Sequence, residues 1–209
     1  MIRRLTILST IVLGLVLGGC TQVAVEAAKK AFEDRTTEDQ VTDSKISAGI
    51  LQRLSDRDKG LLLDLNWDVW EQRVLVTGVL DDSTPRADIV RLVRNDDRIK
   101  AFHEHVATVS KADRDARRKQ AEAKETPKEE PGVGQTVNDF WLETKINAQL
   151  LAARGVTSVN YRWRSVLNQV YVIGRAPSAA ERDQVLRIVR ETVGIKGVRD
   201  YIEIKAPRA

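Results

Sequence analysis

The sequence predicts an α+β protein with two tandem αββαβ domains behind a signal peptide. The first observation is a duplication: residues near position 45 recur 100 positions later, and residues beyond position 60 recur 96 positions later. The matched sets are Lys45-Ile46, Ala48 and Leu51 with Lys145-Ile146, Ala148 and Leu151, then Trp67, Gly78 and Val93 with Trp163, Gly174 and Val189. The second observation is a charged, then apolar start that ends beside Cys20, the only cysteine. We assign the copies to residues 36–110 and 136–206.

Residues 1–19 resemble a bacterial lipoprotein signal peptide. Arg3 and Arg4 precede an apolar run, residues 5–17, which is too short for a membrane-spanning helix. Two small residues, Gly18 and Gly19, then lead directly to Cys20. The resemblance implies cleavage before Cys20, which would carry a covalent diacylglycerol and an N-acyl lipid. The alternative is an ordinary signal peptide followed by a chance cysteine. A single cysteine also excludes a disulfide framework within the chain.

The lipids on Cys20 would hold the chain at a membrane, since several acyl chains together anchor a protein stably. Thr21, and not aspartate, follows the cysteine. By resemblance to Gram-negative lipoproteins, this implies attachment to the outer membrane, facing the periplasm. Residues 20–35 are then a lipidated tether.

Each copy is predicted to form a three-stranded mixed sheet with two helices on one face. The first helices carry apolar residues at i, i+4 spacing, and the first strands alternate apolar with polar residues. The helix residues are Ile46 and Ile50, then Leu142, Ile146 and Leu150; the strand residues are Leu63, Leu65, Trp67 and Val69, then Val159, Tyr161 and Trp163. Pro85 and a capping box, Ser178 with Glu181, mark the second helices.

Two segments differ from the shared unit. The change of offset from 100 to 96 predicts an extra loop in the first copy, residues 55–60. Residues 111–135 form a charged linker, in which 111–125 are predicted to be either a helical extension or a solvated tether. Pro127 and Pro131 end that segment.

These features together resemble the dual BON-domain outer-membrane lipoproteins. The shared features are the lipidation cysteine, two αββαβ copies with Gly78 and Gly174, the closing segment Gly194-Ile195-Lys196-Gly197-Val198 and the segment Asn138-Asp139-Phe140-Trp141. The resemblance covers nearly the whole mature chain and is stronger in the second copy. It implies a non-enzymatic protein that supports envelope integrity, and a second domain that binds anionic phospholipid through its first helix. It also implies partners among outer-membrane assembly or cell-division envelope proteins.

Charge is segregated between the copies. Residues 36–110 contain 10 Lys/Arg and 14 Asp/Glu, whereas residues 136–209 contain 12 Lys/Arg and 7 Asp/Glu. The second copy is therefore suited to an anionic membrane surface, where each basic residue contributes about 1 kcal/mol. The alternative is that net charge varies between small domains without functional meaning.

The first helix of the second copy carries the candidate lipid contacts. Phe140 and Trp141 lie about 130° from its apolar stripe, on either side, and Lys145 lies one turn beyond Trp141. The first copy has Gln40 and Val41 at the positions matched by the offset of 100, so the aromatic pair exceeds what the fold needs. Trp favours the membrane interface, and Lys can keep its ammonium among phosphates. The predicted phospholipid-binding residues are Phe140, Trp141, Lys145, Ala148 and Arg154. The alternative is that one of the rings packs against the linker or the other copy.

No residues in the sequence predict catalysis. His103 and His105 share one side of a strand, but no third ligand at a recognisable spacing accompanies them, so we interpret them as a surface pair and predict no metal. No phosphate-binding loop or nucleophile motif is present. Nucleic acid is also a poor candidate partner, because the chain is predicted to be exported.

Two other functional hypotheses remain. One is a scaffold for envelope proteins, with the aromatic pair as a protein contact, and the other is an intramolecular clamp in which the acidic copy covers the basic one.

Overall fold

The computed structural model describes residues 32–123 and 138–206. The predicted signal peptide, Cys20 and most of the tether lie outside the described residues. The helices are α1 (Thr37–Arg57), α2 (Leu61–Asp64), α3 (Arg86–Arg94), α4 (Lys111–Ala123), α5 (Asp139–Ala152) and α6 (Ala179–Glu191), with a 3-10 turn at Ser158–Asn160. The strands are β1 (Leu65–Trp70), β2 (Arg73–Asp81), β3 (Ala101–Val109), β4 (Tyr161–Val166), β5 (Gln169–Ala176) and β6 (Gly197–Ile204).

The two copies form two separate sheets of the same topology. The orders are β1-β2-β3 and β4-β5-β6. In each sheet the first two strands form an antiparallel hairpin, and the third strand pairs parallel to the second. The parallel pairing requires a crossover, which α3 and α6 provide. The predicted α+β class with two mixed three-stranded sheets is therefore confirmed.

Each sheet has a hydrophobic core on its helix side. Alternate residues of the central strands, such as Val74 and Val76 in β2, pack with the helices, because successive side chains of a strand point to opposite faces. The first core joins Ile46, Ile50, Leu54, Ile89 and Val93, and the second joins Ile146, Leu150, Val185 and Val189. Each fully buried side chain of this size contributes about 1.5–3 kcal/mol, so the two cores account for the position of the helices.

The structural offset between the copies is 96 throughout, including the first helices. The buried stripe of α1 is Ile46, Ile50 and Leu54, and the buried stripe of α5 is Leu142, Ile146 and Leu150. The offset of 100 predicted for these helices is therefore wrong by four residues. An i, i+4 pattern resembles itself after a shift of about one helical turn, which is why the sequence match misled.

The predicted extra loop at residues 55–60 is also wrong. Ser55 to Arg57 end α1, and the short helix α2 corresponds to the 3-10 turn at Ser158–Asn160 at the same offset of 96. Leu63 was expected in the first strand but lies in α2 and is exposed. The strand begins at Leu65, so the two copies have equivalent connections between helix and strand.

The first helix of each domain holds its β-hairpin turn in the same way. Both residues of each turn have positive φ, between 49° and 68°, which matches the twist of a tight hairpin. Asp43 accepts hydrogen bonds from the Glu71 and Gln72 amides, at 2.8 and 2.7 Å. Asp139 accepts from the equivalent amides of Leu167 and Asn168, at 2.9 and 2.8 Å. These carboxylates fix the position of each helix against its sheet.

The charged linker begins as a helix that is tied to both domains. In α4, Arg114 pairs with Asp81, and Arg118 bonds both carboxylate oxygens of Asp64 at 2.6 Å. Arg117 donates to Asp139 at 2.8 Å, so the same helix also contacts the start of α5. Of the two predictions for residues 111–125, the helical extension is confirmed as far as Ala123. Residues 124–137 lie outside the described residues.

The two sheets contact each other through the faces that do not carry helices. Trp70 and Leu75 of the first sheet pack with Ile173 of the second, with Tyr171 and Tyr201 at the edge of this cluster. The acidic copy also pairs with the basic one: Arg164 with Asp68 at 2.7 Å, and both Arg175 and Lys205 with Glu71 at 3.3 and 2.7 Å. The clamp hypothesis predicted such ion pairs, but they cover the sheet face of the second domain and leave its helix face exposed.

His103 and His105 lie in this sheet-to-sheet contact. The ring of His103 stacks on Tyr201 with centroids 3.9 Å apart, and the ring of His105 stacks on Tyr171 at 4.1 Å. The interpretation of these histidines as a surface pair is therefore wrong.

Across the described ranges, no helix combines the length and the hydrophobicity of a membrane-spanning segment.

Candidate functional site

The outer face of α5 carries a line of exposed residues with an apolar side chain at each end. Phe140 is 51% exposed and Leu151 is 64% exposed. They are eleven residues apart, which places them within about 20° of each other around the helix. Thr144 and Asn147 lie between them and are also exposed. We call these four residues the α5 stripe. Its two apolar ends, Phe140 and Leu151, can enter an apolar phase, and the polar side chains between them can hydrogen-bond to polar groups at the surface of that phase.

Trp141 is only 9% exposed, so the expectation that both aromatic rings are free is wrong for this residue. The Lys145 ammonium lies 5.7 Å from the centre of the Trp141 ring, within the range of a cation–π contact. The ring therefore supports Lys145 instead of extending from the surface. Of the aromatic pair, Phe140 alone has a ring available to a partner.

The remaining predicted contacts surround the α5 stripe. Ala148 and Arg154 are exposed, Ala148 beside the stripe and Arg154 just beyond the end of α5. Further exposed residues on or next to the helix α6, which packs on α5, are Arg187, Arg190, Val193 and Lys196. Val193 is 77% exposed, more than either Phe140 or Leu151. Cations and apolar side chains thus share one side of the second domain.

A groove separates α5 from α6 on this side. Its volume is about 360 Å³, and it is lined by Gln149, Ala152, Ala153, Ile188 and Glu191. The Thr192 hydroxyl donates to the Gln149 side chain at 2.6 Å, which joins the ends of the two helices. The groove is a shallow, open depression next to the Leu151 end of the stripe, and none of the four stripe residues lines it.

The first domain lacks the aromatic part of this surface. At the structural offset of 96, Ser44 and Lys45 replace Phe140 and Trp141, and Gly49 replaces Lys145. Helix α1 does expose Val41 and Leu51, so isolated apolar residues occur on both domains. The ring of Phe140 and its basic neighbours distinguish the second domain.

Glu143 lies about 70° around α5 from the α5 stripe, on the flank that contacts β4 near the sheet-to-sheet contact. Its carboxylate accepts from the Ser165 amide at 2.8 Å and lies 3.7 Å from Arg164. Burial raises the pKa of Glu143 to about 7, against the lowering effect of Arg164. Asp68 and Asp139 are near enough to raise the pKa further. The helix that carries the stripe thus contains a carboxyl group that is half protonated near neutral pH.

Glu143 should make the second domain less stable as the pH rises. Because the pKa of Glu143 is raised on folding, its contribution to stability is complete below about pH 4.5 and is lost as the pH approaches 7. Glu143→Gln keeps an acceptor for the Ser165 amide and should remove this loss, on the order of 2 kcal/mol. Urea unfolding at several pH values measures it. Glu191→Gln, at an exposed glutamate, is the control and should leave the pH dependence unchanged; equal pH profiles for wild type and Glu143→Gln would contradict the assignment.

The described ranges contain no group of three or more His, Cys, Asp or Glu side chains that could hold a metal ion. His103 and His105 stack on Tyr201 and Tyr171.

Comparison with known proteins finds a family match for the second domain. Residues 138–206 match the family model of the BON domain. The chain is similar to a protein of Anaplasma centrale described as an uncharacterized protein in the gshII 5′ region, with 26% identity over 146 residues that cover 70% of this chain and 85% of that protein.

Among solved structures, the chain is similar to CdsD, a structural protein of the type III secretion system of Chlamydia trachomatis. The identity is 8%, the match covers 78% of this chain and 93% of that chain, and the TM-score is 0.30. A structure of the C-terminal domain of CdsD matches with 9% identity, 77% and 96% coverage and a TM-score of 0.30. The family match, residues 138–206, covers the region that carries the α5 stripe.

Proposed function

We propose that this chain is a non-enzymatic outer-membrane lipoprotein whose second domain binds anionic phospholipid through the α5 stripe. Cys20, with its diacylglycerol and N-acyl lipid, anchors the chain on the periplasmic side of the membrane. BON domains are linked to phospholipid or membrane binding, which supports this choice. By binding lipid at a second point, the protein supports envelope integrity.

The exposed ring of Phe140 is the observation that carries the proposal. An apolar ring that is half exposed gains free energy when it enters the acyl region, and Leu151 adds a second contact on the same line of the helix. Arg154, exposed and three residues after Leu151, can meet phosphate groups beside these two side chains, and Lys145 supplies a second cation on the same helix. Trp141 is assigned to the support of Lys145 and not to insertion.

Vesicle binding tests the proposal most directly. The mature chain from residue 20 onward, with Cys20→Ser, is used, so that binding cannot come from the lipid anchor or from the apolar signal segment. It should bind phosphatidylglycerol vesicles in co-sedimentation and bind phosphatidylcholine vesicles much more weakly. Phe140→Ala with Leu151→Ala should weaken binding by about tenfold or more, since each lost contact is worth on the order of 1 kcal/mol.

Leu51→Ala is the matched control, because Leu51 is an exposed leucine on the equivalent helix of the first domain. It should not change vesicle binding. Equal binding to the two lipids, or no effect of the Phe140/Leu151 pair, would contradict the proposal. A photo-crosslinker at position 140 that captured one protein in cells, and no lipid, would favour the scaffold hypothesis instead.

A further inference from the structure

The two histidines of β3 join the first domain to the second through aromatic stacking. Besides its stack on Tyr171, His105 places its Nε2 atom 2.6 Å from the Tyr201 hydroxyl. Tyr201 also stacks on His103. One tyrosine therefore contacts both histidines, and the four rings form a continuous cluster across the domain boundary.

Each histidine of this cluster has one carboxylate nearby that favours its protonated form, but that carboxylate is already engaged in an ion pair with another cation. Glu203 faces His103, but it already pairs with Lys205 at 2.7 Å and with Arg73 at 3.3 Å. Arg73 also faces His103, so a proton on this ring would add a second cation beside the guanidinium. A charged His103 would therefore be poorly stabilised.

His105 has the same difficulty. Glu104, its neighbour on β3, is held by Arg86 from α3 through both carboxylate oxygens, at 2.7 and 2.8 Å. Arg199 of β6 and Arg86 both disfavour a positive His105. Burial is the main cause that lowers the pKa of each histidine, and these cations add to it.

We propose that His103 and His105 form an acid-sensitive latch between the two domains. Neutral rings stack on Tyr201 and Tyr171 and hold the second sheet against the first. Protonated rings require water and lie beside arginines, so the separated arrangement is favoured. Because the pKa of each histidine is lowered by docking, the latch is complete above about pH 6.5 and weakens as the pH falls below it.

Other titrating groups at the domain boundary act in distinguishable ways. Glu143 faces Arg164 and Asp68, and burial outweighs Arg164 and raises its pKa to about 7, so its protonation below pH 7 favours the folded contact and opposes opening at low pH. Tyr171 and Tyr201 remain neutral in this range, because burial raises their pKa values. An opening at acid pH that depends on β3 therefore belongs to the histidines.

Distance measurements between spin labels test the latch. The full chain with Cys20→Ser carries cysteines at two exposed helix positions, Asp88→Cys on α3 and Asp183→Cys on α6. At about pH 7.5 the distances should form one narrow population. At about pH 5 a second population at longer distance should appear. His103→Phe with His105→Phe keeps the stacked rings but cannot take up a proton, and it should stay narrow at both pH values.

Two results would overturn the latch. One is a natural chain whose distances do not change between the two pH values, and the other is a double phenylalanine variant that opens like the natural chain. If that variant does not fold, titration of the imidazole protons by NMR in the natural chain decides the question. Midpoints at or above the ordinary histidine value of about 6.5 would then exclude it.

Discussion

Gly174→Ala is expected to destabilise the second domain by about 3 kcal/mol or more. Gly174 pairs with Tyr161 in the β4–β5 hairpin. A Cβ atom on Gly174 would lie 2.2 Å from the Asn160 carbonyl oxygen and 3.0 Å from the Tyr161 Cα. Both are backbone atoms that cannot move without shifting the strand. The added methyl group would therefore overpack this site, and overpacking is among the changes that destabilise proteins most. Urea unfolding of the full chain, followed by circular dichroism, measures the loss.

Gly155→Ala is the control for Gly174→Ala. Gly155 has a φ of 75°, but a Cβ atom there would meet nothing closer than 3.9 Å. Only the backbone penalty of about 1–2 kcal/mol applies. If both variants lost the same stability, the close approach at Gly174 would not be the cause. Gly78→Ala should behave like Gly174→Ala, because the equivalent Cβ atom would lie 2.1 Å from the Asp64 carbonyl oxygen.

Arg73→Met is expected to separate the two domains and to cost about 3–5 kcal/mol. The buried guanidinium of Arg73 donates to the carbonyl oxygens of Tyr201 and Gly174, both at 2.7 Å, and pairs with Glu203 at 3.3 Å. Burial lowers the pKa of Arg73, and Glu203 and Glu71 oppose the shift. Removal of the cation leaves two carbonyl groups and a carboxylate without this partner. Removing one member of a buried pair is strongly destabilising, because the remaining polar groups stay buried without compensation.

Hydrogen exchange distinguishes separation of the domains from unfolding of either one. In Arg73→Met, amides of β5 and β6 at the sheet contact should exchange faster, while the helix cores keep their protection. Arg91→Met is the control, because Arg91 forms a more exposed pair with Asp88. Such pairs contribute about 0–1 kcal/mol. An Arg73→Met protein with unchanged exchange at the contact would show that the arginine does not hold the domains together.

Much of the α+β fold could be predicted from residues that act locally. The i, i+4 stripe of Leu142, Ile146 and Leu150 predicted α5, and Ser178 caps α6 by accepting from the Glu181 amide at 3.2 Å. The other half of the predicted capping box is absent, because the Glu181 carboxylate accepts from Thr157 and Tyr161 instead. A local motif thus fixed where the helix begins, and a tertiary contact decided where its side chain points.

The contact between the sheets has a signal in the sequence. The central strand β2 contains Val74, Leu75 and Val76 in succession, and β5 contains Val172 and Ile173. Continuous apolar runs indicate strands that are buried on both faces. Helices can cover only one of these faces, so a second covering layer was predictable, although its identity was not.

By itself, the sequence determined the duplication, the α+β class, the helix stripes and the region that carries Phe140, since these depend on residue type and on spacing within one element. Only the tertiary structure decided that the helices align at an offset of 96, that Trp141 is buried and that His103 and His105 face tyrosines. The physical reason is that exposure depends on which surfaces meet. A helix pattern looks the same after a shift of one turn, and a polar strand face can be buried by ion pairs as well as left in water.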